Sequence, residues 1–308
     1  MYTVGFVGLG KMGWPMAGRL VDAGFPVTVL DANEAAAARF VQERGGRRAS
    51  TLRDVAAASD VVITMLPNGE VVRRVVLGSG DGTEAGLLAG MRPGSILVDM
   101  SSSDPVGTRS LGQICRERGV AMVDAPVSGG VPRAVAGTLA IMAGGDAEVI
   151  DKLEPIFSVL GQRVFRTGPL GSGHAMKALN NFVSAAGLIA AAEALLVGRA
   201  FGLDPNTMID VLNASTGRNN STENKFKQYI LSRTFNSGFT LDLMLKDLTM
   251  AVDLARKTGT PALFASACRE LWAAARSCLE PGADHTAVVQ WLEQLAGVTL
   301  ESGRNESV

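Results

Sequence analysis

The sequence predicts an α/β domain built on a doubly wound, mainly parallel sheet, followed by an all-α second domain joined to it by a long helix. Three observations predict this. Short apolar strands alternate with helical stretches through the first half of the 308 residues. Convincing strands stop after about residue 165, where the chain becomes alanine- and leucine-rich at helical spacing. One helical pattern then runs from near Gly173 to Phe201, with Gly202 to end it. The chain is long for one domain, and the expected domains are residues 1–165 and 166–308.

The elements follow in order. Val4 to Leu9 is an apolar run ending in glycines, a helical pattern covers Met12 to Ala23, and Pro26 to Leu30 is a second strand closed by Asp31. Further strands are Asp60 to Leu66 before Pro67, Ser95 to Asp99 before a Ser-Ser-Ser-Asp-Pro turn, Val120 to Asp124, and Leu139 to Ala143 before Gly144. Beyond the long helix, Asp204-Pro205 reads as a cap and first turn. Helices are expected around Met244–Lys257, Pro261–Cys278 and Thr286–Leu295. The polar residues from about Glu301 are expected to fray.

Composition narrows the function. With 47% apolar and 19% charged residues and a formal net charge of -1, the chain reads as globular, and it has no basic run of the kind that binds nucleic acid or an anionic membrane. The most apolar run, Phe182 to Val197, holds Glu193 and is short for a membrane span, so it is read as a helix buried in protein. The N-terminus shows no secretory pattern. Cys115, Cys268 and Cys278 are far apart, and only His174 and His285 are present. These suggest a reducing, cytoplasmic setting and no metal site.

Gly8-Leu9-Gly10-Lys11-Met12-Gly13 is a GxGxxG sequence between a strand and a helix, the context in which it binds a dinucleotide. Gly8 permits the turn, Gly10 lets backbone approach a pyrophosphate, and Gly13 lets helix and sheet pack closely. Asp31, at the end of the second strand, is placed to accept from a ribose 2′-hydroxyl and to repel a 2′-phosphate, which favours NAD over NADP. A second polar feature lies on the long helix. Lys177, Asn180, Asn181 and Ser184 share one face of an otherwise apolar helix. Such a stripe is costly unless paired or used. Partial burial would shift the lysine toward acid–base work near neutrality. Ser128-Gly129-Gly130 follows a strand end and offers a hydroxyl and backbone N–H groups to a carboxylate. The plainer readings are a stripe bonded to the other domain and a simple tight turn. Lys246 alone reads as a snorkelling side chain, Arg218 as exposed, and His174 as helix-initiating or exposed. Trp14, Trp272 and Trp291 read as core or interface.

These residues carry a resemblance. FVGLGKMGWPMAGRL, DAPVSGG at 124–130, GSGHAMKALNN at 171–181 and LKDL at 245–248 resemble, in family order, the blocks of the 3-hydroxyisobutyrate dehydrogenase family of β-hydroxyacid dehydrogenases. The first block departs at Arg19, where the family commonly has asparagine. The resemblance implies an NAD-binding Rossmann domain, an all-helical domain and a cleft between them. It implies Leu66, Pro67 and Ser102 beside the cofactor, and Ser128, Gly129 and Gly130 around a small carboxylate substrate. It also implies Lys177 as acid–base catalyst, Asn181 beside it, and Lys246 over the cofactor with Asp247 adjacent. It further implies a homodimer or homotetramer.

Two alternatives are weighed. Decarboxylating, NADP-dependent 6-phosphogluconate-type enzymes carry a histidine and a glutamate where this chain has Asn180 and Ser184, so the acid that reaction needs is missing. A non-catalytic dinucleotide sensor would keep the glycine loop but has no need of Lys177 or the SGG loop. Related imine reductases usually replace the lysine. The substrate remains open among small hydroxy acids and matching semialdehydes.

Overall fold

The computed structural model describes residues 1–80 and 84–301, so most of the polar tail expected to fray lies outside the described residues. Two compact units divide the chain, Met1–Lys177 and Ala178–Val308.

The first unit begins with β1 (Val4–Val7), α1 (Gly13–Asp22), β2 (Val27–Leu30), α2 (Glu34–Arg44), β3 (Arg47–Arg48), α3 (Leu52–Ala57), β4 (Val61–Thr64) and α4 (Gly69–Leu77). It continues through β5 (Ile96–Asp99), α5 (Pro105–Glu117), β6 (Ala121–Asp124), β7 (Val127–Ser128), α6 (Gly130–Ala136), β8 (Leu139–Gly144), α7 (Ala147–Lys152), α8 (Glu154–Leu160) and β9 (Gly161–Gly168). The sheet order is β3-β2-β1-β4-β5-β6-β8-β7, with β9 on β8. Pairing is parallel from β3 to β6 and between β8 and β9, and antiparallel where β8 meets β6 and β7.

The central strands alternate in which face they fill. Phe6, Ile63 and Val98 pack with α1, α2 and α8 on one side, while Val7, Val62 and Leu97 pack with α3, α4 and α5 on the other. Both faces being buried explains the unbroken apolar runs that mark these strands in the sequence. Each fully buried aliphatic or aromatic side chain contributes about 1.5–3 kcal/mol to this packing. The order reverses between β1 and β4, which places the carboxyl end of β1 at the topological switch point.

One expectation is corrected. The chain is not free of strands from about residue 165: β9 runs to Gly168 and pairs with β8 along its length. Its sequence, GQRVFRTG, is polar and largely exposed, so it lacks the apolar run that marks a buried strand. Gln162, Arg163 and Arg166 belong to an edge.

The second unit is helical. α9 (Ser172–Phe201) enters it from the first; α10 (Pro205–Ala214), α11 (Asn220–Asn224), α12 (Leu241–Thr258), α13 (Leu263–Cys278) and α14 (Val288–Ala296) follow. Asp204 caps α10 as its sequence suggests, accepting from the Thr207 N–H at 2.8 Å. Asn219 and Thr222 form a reciprocal capping box on α11. A single π-helical turn, Phe226–Ile230, comes directly after it. Ala185, Leu188, Ala192 and Leu195 of α9 are buried at helical spacing in a core shared with Leu248, Trp272 and Val288. By length and composition α9 is apolar enough to cross a membrane, yet half of its most apolar stretch is buried within the protein, as expected of a core helix.

Candidate functional site

The glycine loop leaves β1 where the backbone must bend into α1. Gly8 has φ +100°, and a Cβ there would lie 2.3 Å from the Met65 carbonyl oxygen at the end of β4. A Cβ on Gly13 would lie 1.9 Å from the Gly8 oxygen. Both glycines are therefore required by the fold itself. Gly10 differs: a Cβ there would meet nothing within 4 Å, and the residue is exposed. Its small size opens room on the outer side of the loop, where a pyrophosphate would come. α1 also lacks a side-chain cap, whereas α2, α3, α4 and α5 are capped by Asn33, Thr51, Asn68 and Asp104. Uncapped first-turn N–H groups beside an open loop fit an anionic ligand.

Asp31 closes the same loop. Its Oδ2 accepts from the Leu9 N–H at 2.6 Å and its Oδ1 from the Asn33 N–H at 2.7 Å. The carboxylate is thereby fixed half-buried against Leu9, with a lone pair left on each oxygen. Lys11 is exposed, and Met12 is half-buried at the start of α1. Arg19 donates to the Val159 carbonyl at 3.2 Å and packs against Gly137. The departure from the family block thus becomes a tie between α1 and the end of α8.

At the ends of β4 and β5, the Leu66 N–H donates to Ser101 Oγ at 2.9 Å. Pro67 is exposed just beyond, and Ser102 is half-buried between the buried Ser101 and Ser103. Asp99 ends β5 and is paired in register with Asp124, which ends β6. Asp99 accepts from Thr64 Oγ1 at 2.9 Å, the Ser101 N–H at 3.0 Å and Ser103 Oγ at 2.7 Å. Asp124 accepts the Gly171 and His174 N–H groups at 2.7 Å each. The His174 ring lies between the two carboxylates, its Nε2 3.6 Å from Asp99 and its Nδ1 3.7 Å from Asp124. Nδ1 is 2.8 Å from Thr108 Oγ1, and Nε2 is 3.1 Å from the Ser101 carbonyl. Burial pushes the Asp124 carboxyl up from its ordinary value, while His174 and the two N–H groups pull it down.

The sequence missed this group. His174 is buried, not exposed; of its two expected roles, helix initiation is the one the geometry matches. Asp99 and Asp124 pass in the sequence for strand-ending turn residues. The signal available was the matching Val-Asp ending of two adjacent parallel strands.

Ser128 ends β7, and the exposed Gly129 and Gly130 follow with φ +132° and +67°. Two successive positive-φ positions leave only glycine comfortable there, at the entry to α6. α9 carries the half-buried Lys177, then Asn181 and Ser184 on the same face. Asn181 is buried. Its Oδ1 accepts from Asn180 Nδ2 at 3.1 Å, and its Nδ2 donates to Asp247 Oδ2 at 2.5 Å. Lys246 Nζ lies 3.4 Å from Asp247 Oδ1. The structure thus gathers Asn181, Lys246 and Asp247 into one cluster of the helical unit. Arg218 is exposed, as its sequence context suggests, and pairs with Glu223 at 3.6 Å.

Comparison with known proteins gives these residues a context. Residues 3–168 match the family model of the NAD binding domain of 6-phosphogluconate dehydrogenase. Residues 171–292 match that for NAD-binding of NADP-dependent 3-hydroxyisobutyrate dehydrogenase. The chain is 36% identical over 301 residues to 2-(hydroxymethyl)glutarate dehydrogenase of Eubacterium barkeri, covering 98% of each protein. It is similar in structure to 3-hydroxyisobutyrate dehydrogenase of Mycobacterium tuberculosis with L-serine, with TM-score 0.86, 33% identity, and coverage of 95% of this chain and 99% of that one. It is also similar to Psf3 in complex with NADP+ and 2-OPP, with TM-score 0.81, 27% identity, and coverage of 94% and 100%.

The Asp124 clamp makes a prediction about stability. An asparagine in its place offers one acceptor oxygen and one amide, so one of the two backbone N–H groups of Gly171 and His174 loses its partner. Leaving a buried donor unsatisfied costs about 1–3 kcal/mol. Asp124→Asn is expected to lower stability by that amount in urea unfolding, and an unchanged midpoint would contradict the clamp.

Proposed function

Because the chain belongs to the 3-hydroxyisobutyrate dehydrogenase family and is an NAD(P)-dependent β-hydroxyacid dehydrogenase, we propose that it works with NAD and uses Lys177 as its acid–base catalyst. The observation that carries this reading is the polar face of α9. There Asn181 is locked by Asp247 and Asn180 one helical turn beyond Lys177.

A bound nicotinamide cofactor would supply the hydride acceptor for the hydroxyl-bearing carbon of the substrate. The chain's own residues supply the rest. Lys177, as a free amine, takes the hydroxyl proton during oxidation; as an ammonium it returns a proton to the carbonyl oxygen of the semialdehyde during reduction. One N–H of Asn181 Nδ2 is spent on Asp247. The other is left to donate to the substrate oxygen and hold it toward Lys177. Ser128, with the backbone N–H groups of the exposed Gly129 and Gly130, suits the substrate carboxylate. The glycine loop from Gly8 to Gly13 with Leu66, Pro67 and Ser102 forms the cofactor side, and Lys246 is assigned to cover it. Ser184 cannot supply the acid that decarboxylating chemistry needs, which favours simple oxidation.

A homo-oligomer is part of the reading, supported by exposed apolar side chains on the helical unit, among them Val197, Phe201 and Leu263; sedimentation velocity is the check. The free cysteines Cys115 and Cys268, both buried, and Cys278 suit a reducing cytoplasm.

The cofactor choice rests on Asp31, whose fixed carboxylate would face a 2′-phosphate. NAD is expected to exceed NADP at least about tenfold in kcat/KM, equivalent to about 1.4 kcal/mol, and Asp31→Ala to narrow the gap. A wild-type preference for NADP overturns this choice.

For Lys177, loss of the acid–base group is expected to cost about 10²- to 10⁴-fold in kcat. Assayed by NADH absorbance across a panel of β-hydroxy acids, Lys177→Ala should show that loss while NAD affinity is kept. Lys177→Arg keeps the charge but cannot readily give up a proton, so it should fail nearly as badly. An arginine variant near wild-type activity removes the acid–base role.

A further inference from the structure

Lys225 stands at a break in the helical backbone. It follows α11 and precedes the π-helical turn, with non-helical φ −130° and ψ −44°. Single π turns occur frequently at functional sites. From this position its side chain runs to α9, where Nζ lies 3.3 Å from Ser184 Oγ. Ser184 occupies the Lys177–Asn181 face, three residues past Asn181. The ammonium therefore meets the polar face of α9 about 4.5 Å further along the helix axis than Asn181.

The charge has no counter-charge in place. Among the described residues, Lys225 makes no ion pair within 4.0 Å, and its hydrogen-bond partner is a neutral hydroxyl. Asp284 acts on it from further away, but the Asp284 oxygens are already engaged by Ser237 Oγ and by the N–H groups of Gly238 and Thr286. A snorkelling lysine ends in water; this one ends against a helix that carries the reacting groups. Burial lowers its pKa to about 8, partly opposed by Asp284, which leaves it mainly protonated at neutral pH. A half-buried ammonium held in this way is costly unless an anion arrives to pair with it.

Resting on the reading of the Lys177 face given above, we infer that Lys225 is a specificity-determining residue that binds a second anionic group of the substrate. The preferred substrates are then β-hydroxy acids, or their semialdehydes, with two anionic groups. The reacting oxygen goes to Lys177 and Asn181 on α9, and the distal anion to Lys225 and Ser184. A spacer of a few carbons covers the axial step from Asn181 to Ser184.

The test compares 2-(hydroxymethyl)pentanedioate with 2-(hydroxymethyl)pentanoate, which differ only in the distal carboxylate, by NADH formation. The wild-type enzyme is expected to favour the diacid about tenfold or more in kcat/KM. Lys225→Met should collapse that ratio to near unity, whereas Lys225→Arg should keep it within about threefold because the charge remains. The ratio cancels any general loss of activity or folded protein. A ratio that Lys225→Met leaves unchanged, or wild-type activity confined to monoacids, overturns this inference alone. A wild-type enzyme that oxidises no hydroxy acid of the wider panel overturns the dehydrogenase reading and this inference with it.

Discussion

The Asp124 carboxylate, buried at the end of β6, receives the N–H groups of Gly171 and His174 at 2.7 Å. It thereby fixes the origin of α9. A helix start offers unpaired N–H groups and a positive dipole end, so a carboxylate there is favoured on both counts. Lys177 sits one turn further on, and its height and rotation follow from that anchor. The anchor is itself supported. His174 stands between Asp124 and Asp99, and Asp99 organises the serines after β5, whose first member, Ser101, receives the Leu66 N–H. One buried polar group thus ties the start of α9 to the ends of β4, β5 and β6. Every member is hydrogen-bonded, the condition under which a buried network makes a structure rigid.

The glycine loop works by a different constraint, which is steric. Gly8 and Gly13 have no room for a Cβ, whereas Gly10 has room that the protein leaves open. Asp31 fixes the loop through the Leu9 N–H and keeps a lone pair on each oxygen. The fold thus holds the glycine loop and the Asp31 carboxylate in one piece.

Much of this was legible in the sequence. The strands β1, β4 and β5 are buried on both faces, so they read as unbroken apolar runs. Asp204-Pro205 and Gly202 mark helix boundaries by capping chemistry that is local. β3, β7 and β9 were not legible, because two are only two residues long and β9 is polar along an exposed edge. The stripe of Lys177, Asn181 and Ser184 stood out because polar groups at helical spacing contrast with an apolar helix. Asp99 and Asp124 did not, because a strand-ending aspartate looks like a turn residue until the register pairs the two strands. Lys225 lies in a polar stretch where a lysine normally faces water, and only its approach to Ser184 sets it apart. Pairwise contacts that span many residues leave no periodic trace.

The central claim, that this chain moves a hydride between a hydroxy acid and a nicotinamide cofactor, has a direct test. The best hydroxy acid of the panel is deuterated at its hydroxyl-bearing carbon and turned over with NAD, and the reduced cofactor is weighed by mass spectrometry. The account predicts a reduced cofactor one mass unit heavier, with label transferred in proportion to product. Reduced cofactor without deuterium, or no reduction by any member of the panel, would contradict it.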